Sequence, residues 1–422
     1  MSKNTLILML LILFSSTLFS IITPMAEEIS LALKFEESQV AFINSIFLMV
    51  GAISSLFWAL LGDKFSRKLL LIFSTLEWSI LAFLTTFSTN FHTLLTFQLI
   101  TAIGFGAAIP LTFSLIVDLV ETENRGKKFG TLSAIYVLGN GLGQILSGFL
   151  IDYYSWQIPI LIVSISGFVS TGLLFLLEEP KRGAKDEFYE MVDERSLGLG
   201  YKIKLKDIKQ ILKIKTTIWI LVLNFAMFIS IGAVSSFFIS MLKKDYDLSS
   251  TLATFFLIIV FGSQIPSGPL FGKLGDKKYQ TDKNGRMKIV LICLLSGSAF
   301  YIIAYSLFFL SNDSTFAFIF LAFAFIGAFL FGGIDPLTQV TLGEINPPHS
   351  RSTIYSFNYL ATITFGRSIS LLLLGQFYLT FNNHYSPGYF ILSILALTCT
   401  IFLVPILKFL PRDIENIKSN QM

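Results

Sequence analysis

Long apolar stretches recur from one end of this chain to the other and determine which fold class it can adopt. Each is about 20 residues or longer, the length that an α-helix needs to cross the hydrocarbon core of a bilayer. About twelve can be counted, near residues 5–26, 39–61, 69–88, 92–117, 130–151, 156–178, 216–242, 249–271, 289–310, 315–341, 352–379 and 386–409. Because lipid offers no water to hydrogen-bond the backbone, these stretches predict an all-α membrane protein with about twelve transmembrane helices.

The composition excludes a soluble globular domain. Hydrophobic residues make up 54% of the 422 residues and charged residues only 14%, and the mean hydropathy is +0.72. So few charged side chains cannot cover a soluble core of this size. No small-residue cleavage site follows the first apolar stretch, so we interpret it as a retained first span rather than a signal peptide.

The distribution of basic residues predicts the orientation. With the N-terminus inside, Lys34, Lys243 and Lys244 fall on the outer side, Arg367 falls within a span, and the other Lys and Arg residues lie on the inner side. This asymmetry predicts a multi-pass protein of the cell membrane with both termini in the cytoplasm. It also accounts for the net positive charge, so no nucleic-acid partner is expected.

The sequence repeats itself in two halves. "WALLGDKFSRK" after the second span and "FGKLGDKKYQ" after the eighth both contain Leu-Gly-Asp-Lys, which makes Asp63 and Asp276 equivalent. The repeat predicts two pseudo-symmetric six-helix bundles, residues 1–178 and 216–422, as in transporters. The cytoplasmic linker 179–215 between them is predicted to carry a basic amphipathic helix on the anionic inner leaflet, with a solvated tether as the alternative.

The charged loop after span two resembles the signature loop of the major facilitator superfamily, Gly-x-Leu-x-Asp-Arg-x-Gly-Arg-Lys. Asp63, Arg67 and Lys68 match that signature, while Lys64 and Ser66 depart from it conservatively. The resemblance implies alternating access at a central site between the two bundles. It also implies a small-molecule substrate and a monomeric protein surrounded by membrane lipids.

Other segments extend the resemblance along the whole chain. "VDLVETENRGKKFG" places Asp118 and Arg125 as the superfamily does, and "GFGAAIP", "YVLGNGLGQILSG", "EEPKRGA" and "INPPHSRSTIYSF" look most similar to the spinster-like branch. That branch carries lipids and amphiphiles, such as lysophospholipids and sphingoid phosphates. Its usual charged residues in spans one and four are replaced here by Thr17, Leu18 and Ala107, so the familiar proton-coupling residues are missing.

The charges near the predicted cytoplasmic edge have a physical role that does not depend on the family. A carboxylate such as Asp63 can accept hydrogen bonds from the free N–H groups of a helix N-terminus, and Arg67 can form a forked pair with Asp118. Such contacts would hold the cytoplasmic side closed and break when it opens. The gating residues predicted on this basis are Asp63, Arg67, Lys68, Asp118, Arg125 and Asp276. The alternative is that the charges only set the orientation.

Arg367 is the best candidate for binding an anionic group, because it lies near the middle of span eleven, where an isolated charge is costly. The alternative is a structural role, paired with a carboxylate such as Asp335. Asp335 lies between two glycines and a proline, where span ten is expected to bend; it either gates or caps the bend. Further candidates to contact substrate, each of which could instead join two helices, are Asn140, Gln144, Asn224, Gln264, Ser20 and Thr23.

Together these features predict a secondary or facilitative transporter of an anionic amphiphile or lipid-like solute. The alternatives are a facilitator of a polar organic anion or other metabolite, and a non-transporting membrane receptor or scaffold. An enzyme is not expected, since no nucleophile arrangement or phosphate-binding loop is present. Cys293 and Cys399 both lie in apolar stretches and suggest no metal site or disulfide framework, so no metal or cofactor is expected.

Overall fold

The computed structural model describes residues 3–35, 37–151, 153–185, 213–311, 313–347 and 350–419, and all regular structure in these residues is helical. In these described residues, twelve helices are long and apolar enough to cross a membrane, which confirms the predicted fold class. We number them as spans one to twelve: Lys3–Leu33, Phe42–Gly62, Arg67–Thr85, Phe91–Leu119, Thr122–Leu150, Gln157–Phe175, Lys215–Asp245, Leu252–Thr281, Gly285–Phe309, Thr315–Ile345, Arg351–Thr380 and Ser386–Asn416.

Several spans consist of more than one helical segment. The α-helices are Lys3–Ser20, Ala26–Leu33, Glu37–Gly62, Arg67–Thr85, Phe91–Phe105, Ala108–Leu119, Arg125–Leu150, Gln157–Phe175, Lys215–Ile231, Val234–Asp245, Ser250–Gly262, Gln264–Thr281, Gly285–Ser306, Ser314–Phe331, Ile334–Ile345, Arg351–Tyr359, Arg367–Thr380, Ser386–Thr398 and Leu403–Ser419. Short 3₁₀ segments lie at Thr23–Met25, Thr122–Asn124, Leu307–Phe309 and Cys399–Phe402, and a π-helix lies at Leu360–Gly366.

Spans one, four, seven and ten are each the first helix of a three-helix group. Each of them is interrupted within the span. The interruptions in spans four, seven and ten contain glycine: Gly106, Gly232 and Gly332. A Cβ atom at Gly106 would lie 2.3 Å from the carbonyl oxygen of Gly51, so any larger residue would push span two away. Interrupted spans of this kind are where transporters commonly bind their solutes.

The described chain separates into two compact units. The first comprises residues 3–121, 135–185 and 347–360, and the second comprises residues 122–134, 213–346 and 361–419. The beginning of span five therefore belongs to the second unit, and the beginning of span eleven belongs to the first. The predicted bundles 1–178 and 216–422 placed all of span five in the first bundle and all of span eleven in the second.

Within the first unit, spans one and four are the most deeply buried. In their most apolar windows, 72% of span one and 83% of span four are buried. Leu18 of span one and Phe105 of span four pack in one apolar cluster that also contains Trp78 of span three. Helices that are apolar on all sides are expected at such central positions. The basic amphipathic helix of the linker was predicted at residues 201–215, and residues 201–212 of that stretch are outside the described residues.

Candidate functional site

Asp63 caps the beginning of span eleven inside the first unit. Its carboxylate accepts hydrogen bonds from the backbone N–H of Ser352 (3.2 Å) and of Thr353 (3.0 Å), and from the Thr353 hydroxyl (2.5 Å). These are the free N–H groups of a helix N-terminus, which carry partial positive charge. The contact expected for this carboxylate, with a helix N-terminus, is therefore present, although the sequence did not show which helix supplies it.

Asp118 lies between two arginines in the same unit. Its Oδ2 accepts from Arg67 Nη1 at 2.5 Å, and its Oδ1 accepts from Arg351 Nη1 at 2.7 Å. All three side chains are at most 1% exposed. The expected pair of Arg67 with Asp118 is confirmed, but it is not forked: the Arg67 Nε faces Glu179 at 3.3 Å instead. We call Asp63, Arg67, Asp118 and Arg351 the first charge cluster.

The residues that follow span six complete this cluster. The Glu179 carboxylate accepts from the Ser66 hydroxyl at 2.5 Å and from the Arg67 backbone N–H at 2.9 Å, at the start of span three. Burial acts to raise the pKa of Glu179, but the hydrogen bond from Ser66 and the charge of Arg67 outweigh it and hold the pKa below its ordinary value. Arg182 donates to the carbonyl oxygen of Gly62 at 2.6 Å. The first residues of the linker are thus part of the charged structure.

Asp63 gives the first charge cluster a dependence on pH. Burial raises the pKa of this carboxyl group from 3.8 to about 6, although the hydrogen bond from Thr353 and the charge of Arg182 act in the opposite direction. We call the cluster closed when these contacts are formed. Because the pKa of Asp63 is raised in the closed cluster, protonation of Asp63 favours the closed cluster over the open one. This stabilisation of the closed cluster is complete below pH 3.8 and is lost as the pH rises through about 6.

We expect the closed cluster to become weaker by about 1.4 kcal/mol, or about tenfold, between about pH 5 and pH 8. The labelling rate of Ser352→Cys by a water-soluble maleimide, divided by that of the exposed Lys64→Cys, measures its opening at each pH. In the Asp63→Asn background this ratio should not change with pH. An equal pH dependence in that background would show that another group titrates.

The second unit contains an equivalent arrangement, which we call the second charge cluster: Asp276, Arg286, Glu344 and Arg125. Asp276 accepts from the backbone N–H groups of Gly126 and Lys127, both at 2.9 Å, at the start of span five. Arg286 Nη2 donates to Asp276 at 2.8 Å and Arg286 Nη1 to Glu344 at 2.6 Å. Arg125 lies 3.6 Å from Glu344. Each acid and arginine has a counterpart at the same span end in the other cluster.

Glycines bring span five and span eight together beside the second cluster. A Cβ atom at Gly130 would lie 2.1 Å from the Gly268 carbonyl oxygen, and one at Gly272 would lie 2.2 Å from the Gly126 carbonyl oxygen. The two backbones are therefore in direct contact, which only glycine permits. This contact places the N-terminus of span five against Asp276.

Arg286, Glu344 and Arg351 were not among the predicted gating residues. A signal for them was present, because the internal repeat maps Arg67 to Arg286 and Asp118 to Glu344 at equivalent span ends. Glu179 offered no comparable pattern. The predicted gating residue Lys68 points elsewhere: its Nζ donates to the Phe175 carbonyl oxygen at 2.9 Å, at the end of span six.

Arg367 follows directly after the π-helix Leu360–Gly366 in span eleven. π-Helical turns interrupt regular helices and are frequent at functional sites. The guanidinium is half-exposed and donates through Nη2 to the Ser236 hydroxyl at 3.2 Å. Within the described part of the chain, Arg367 forms no ion pair with Asp335. The structural pairing considered for these two residues is therefore not present.

Asp335 lies in the first turn of the helix that follows the interruption at Gly332 and Gly333, so the expected bend in span ten is confirmed. Its Oδ1 accepts from Gln339 Nε2, one turn later, at 3.1 Å. A carboxylate in the first turn of a helix is stabilised by the free N–H groups there. This position agrees with the capping role and leaves a gating role untested.

The remaining candidate residues differ in their exposure to solvent. Ser20 is buried against Gly143 of span five and bonds to its own helix backbone, so it serves helix packing in this conformation. Asn224 is also buried. Thr23 and Gln144 are exposed, whereas Asn140 and Gln264 are half-buried.

Comparison with known proteins agrees with this architecture. The sequence model of the family described as "Major Facilitator Superfamily" matches residues 8–302 and 220–421. "Citrate exporter 1" of Aspergillus niger is 25% identical over 171 residues, which are 40% of this chain and 33% of that protein. The chain thus matches about a third of the length of this relative.

Two solved structures show the same fold. The proton:xylose symporter XylE has a TM-score of 0.72 at 17% identity, covering 95% of this chain and 94% of that chain. The human organic anion transporter MFSD10 has a TM-score of 0.70 at 14% identity, covering 95% of this chain and 99% of that chain. At these identities the likeness establishes the fold and leaves the solute open.

Proposed function

The chain belongs to the major facilitator superfamily, and on that premise we propose that it transports a small organic anion with a substantial apolar part by alternating access. The proposed partners are that solute and the surrounding lipids. The apolar part of the solute is suggested by the stretches that resemble the spinster-like branch. An organic anion transporter and a citrate exporter among the similar proteins support an anionic solute.

Arg367 is the observation that carries this proposal. It is a half-exposed guanidinium within a span, and its hydrogen bond in the described structure goes to the neutral Ser236 rather than to a carboxylate. A charge that faces lipid at the centre of a span costs at least about 2.5 kcal/mol, so the guanidinium is expected to face protein, water or a ligand. A guanidinium is suited to bind a carboxylate or phosphate through two parallel N–H groups.

The two charge clusters are the contacts that change in the proposed alternating-access cycle. Each fixes the N-terminus of span five or span eleven to a buried carboxylate, and each is fully formed here. We infer that they separate and re-form as access alternates. Differences of a few kcal/mol in such contacts are enough to shift a two-state equilibrium.

Uptake into proteoliposomes tests the proposal. We expect saturable uptake of radiolabelled 2-naphthoate and decanoate, and none of the neutral analogues 2-naphthamide and decanamide above the level of protein-free vesicles. Equal rates for the anions and the amides would contradict an anion transporter. Binding of the anions without any uptake would instead support the receptor or scaffold alternative.

A further inference from the structure

Polar side chains follow one another along spans seven and eleven towards the ends that the basic residues place outside. Ser236 and Lys244 of span seven are exposed, and Arg367 of span eleven is half-exposed. Because charged side chains avoid contact with lipid, the face that carries these residues is expected to meet water. A solute could therefore reach this face from the aqueous phase.

Three aromatic rings form a stack that runs from Phe237 of span seven, beside Ser236, to Tyr378 near the outer end of span eleven. The Phe237 and Tyr385 rings are 5.5 Å apart at an interplanar angle of 18°. The Tyr385 and Tyr378 rings are 4.4 Å apart at 27°. Such near-parallel stacks are rigid and offer flat apolar surfaces to planar ligands. Phe237 and Tyr378 stand at the two ends of the stack and are both half-buried.

Lys244 lies over this stack. Its Nζ is 4.5 Å from the centre of the Tyr378 ring and 5.8 Å from that of Tyr385, and it donates to the Tyr378 hydroxyl. An ammonium group has three N–H donors. Since one donor bonds to Tyr378 and the side chain is exposed, the others are open to a ligand. We call Lys244, Phe237, Tyr378 and Tyr385 the aromatic–lysine cluster.

Helix geometry aligns Arg367 with Tyr378 on span eleven, and Phe237 with Lys244 on span seven. Tyr378 follows Arg367 by eleven residues, or about three turns, which returns it to the same side of span eleven about 16 Å along the axis. Lys244 follows Phe237 by seven residues, or about two turns, on span seven. The bond between Arg367 and Ser236, the neighbour of Phe237, joins the two spans at the inner end of the face.

We propose that the aromatic–lysine cluster is an outer binding site for aromatic carboxylates, which precedes Arg367 on the path of the solute. Lys244 binds the carboxylate, and the stacked rings bind the aromatic part. The site deepens the proposed function, on which its place in transport rests, and it names the solute class: a planar aromatic ring bearing a carboxylate. Its ability to bind can be tested independently of transport.

Binding to the purified protein distinguishes this site from a purely structural cluster. Isothermal titration with 2-naphthoate should show about tenfold weaker binding for Lys244→Gln, since cation–π and charge contacts contribute about 1–2 kcal/mol. Lys243→Gln is the matched control, because Lys243 is the exposed neighbour on the same helix and should leave the affinity unchanged. Equal affinities of the two variants would overturn the proposal.

Contact between the ligand and the Tyr378 ring is tested with variants of Tyr378 and with a saturated ligand. The parent should prefer 2-naphthoate to decahydro-2-naphthoate, which has the same charge and skeleton without aromatic rings. Tyr378→Phe keeps a ring and should keep that preference, whereas Tyr378→Leu should lose it. A preference that survives Tyr378→Leu, in a variant whose melting temperature shows it folded, would overturn the assignment.

The two proposals can fail separately. If proteoliposomes take up organic anions while Lys244→Gln binds 2-naphthoate as tightly as the parent, the outer site is wrong and the transport function stands. If Lys244→Gln weakens binding but no solute enters proteoliposomes, the outer site stands and the transport function is wrong. Arg367→Gln should retain 2-naphthoate binding that still depends on Lys244.

Discussion

Replacement of Arg367 by Gln should reduce the uptake of organic anions by about 10- to 150-fold. A hydrogen bond to a charged group contributes about 1.5–3 kcal/mol, and each 1.4 kcal/mol is tenfold. Arg367→Lys should give an intermediate rate, because a point charge replaces a planar fork that binds a carboxylate through two N–H groups. Initial rates of 2-naphthoate uptake into proteoliposomes measure both effects.

The controls for Arg367 use its observed surroundings. Arg367 is hydrogen-bonded to Ser236 and not paired with Asp335, so Arg367→Gln should change the melting temperature little. For the same reason, adding Asp335→Asn should not restore uptake to Arg367→Gln. Uptake by Arg367→Gln at the parental rate would remove Arg367 from the binding site. Restoration of folding by the double change would show that the two residues do pair in another conformation.

Replacement of Asp118 by Asn should open the first charge cluster. Asp118 is buried and bonds to both Arg67 and Arg351, so its neutralisation leaves two buried guanidinium groups poorly compensated. Breaking a buried pair in this way costs about 3–5 kcal/mol. The population in which the cluster is closed should fall by a factor of about 100 to 1000 or more relative to the open one, and transport should slow.

Maleimide labelling of Ser352→Cys reports this opening. Ser352 is fully buried at the start of span eleven, and cysteine is the residue nearest to serine in size and shape, so it should fit there. Labelling should be slow in the parent and fast in Asp118→Asn, while the exposed Lys64→Cys should react quickly in both. Adding Arg351→Gln to Asp118→Asn should restore part of the protection, because Arg67 keeps Glu179 as a partner. Unchanged labelling in Asp118→Asn would leave these charges as orientation signals alone.

The fold of this protein is largely contained in local features of its sequence. Span length and hydropathy act over about 20 residues at a time, and they predicted the twelve spans that the structure has. The interruption of span ten was also foreseen, because two glycines and a proline lie together at that point. These properties depend on near neighbours, so they can be recognised without tertiary structure.

Partners across the chain were predicted less completely. The repeat and the charged loop indicated Asp63, Asp276 and the pair of Arg67 with Asp118, since these positions follow a regular pattern at the span ends. The second partner of Asp118 is Arg351, which lies 233 residues away. The repeat matches Arg351 to the predicted Arg125, but across that distance no local pattern indicated the bond of Arg351 to Asp118.

The sequence by itself therefore determined that the chain crosses a membrane as twelve helices, that its halves repeat, and that Arg367 lies within a span. Only the tertiary structure decided that Arg351 bonds to Asp118, that Ser20 is buried against Gly143, and that Tyr378 and Tyr385 stack beneath Lys244. The physical reason is the distance in sequence between the residues that interact. Burial in lipid selects a helix from its own residues, whereas a hydrogen bond or ring contact requires two side chains to be brought within a few ångströms by helices far apart in sequence.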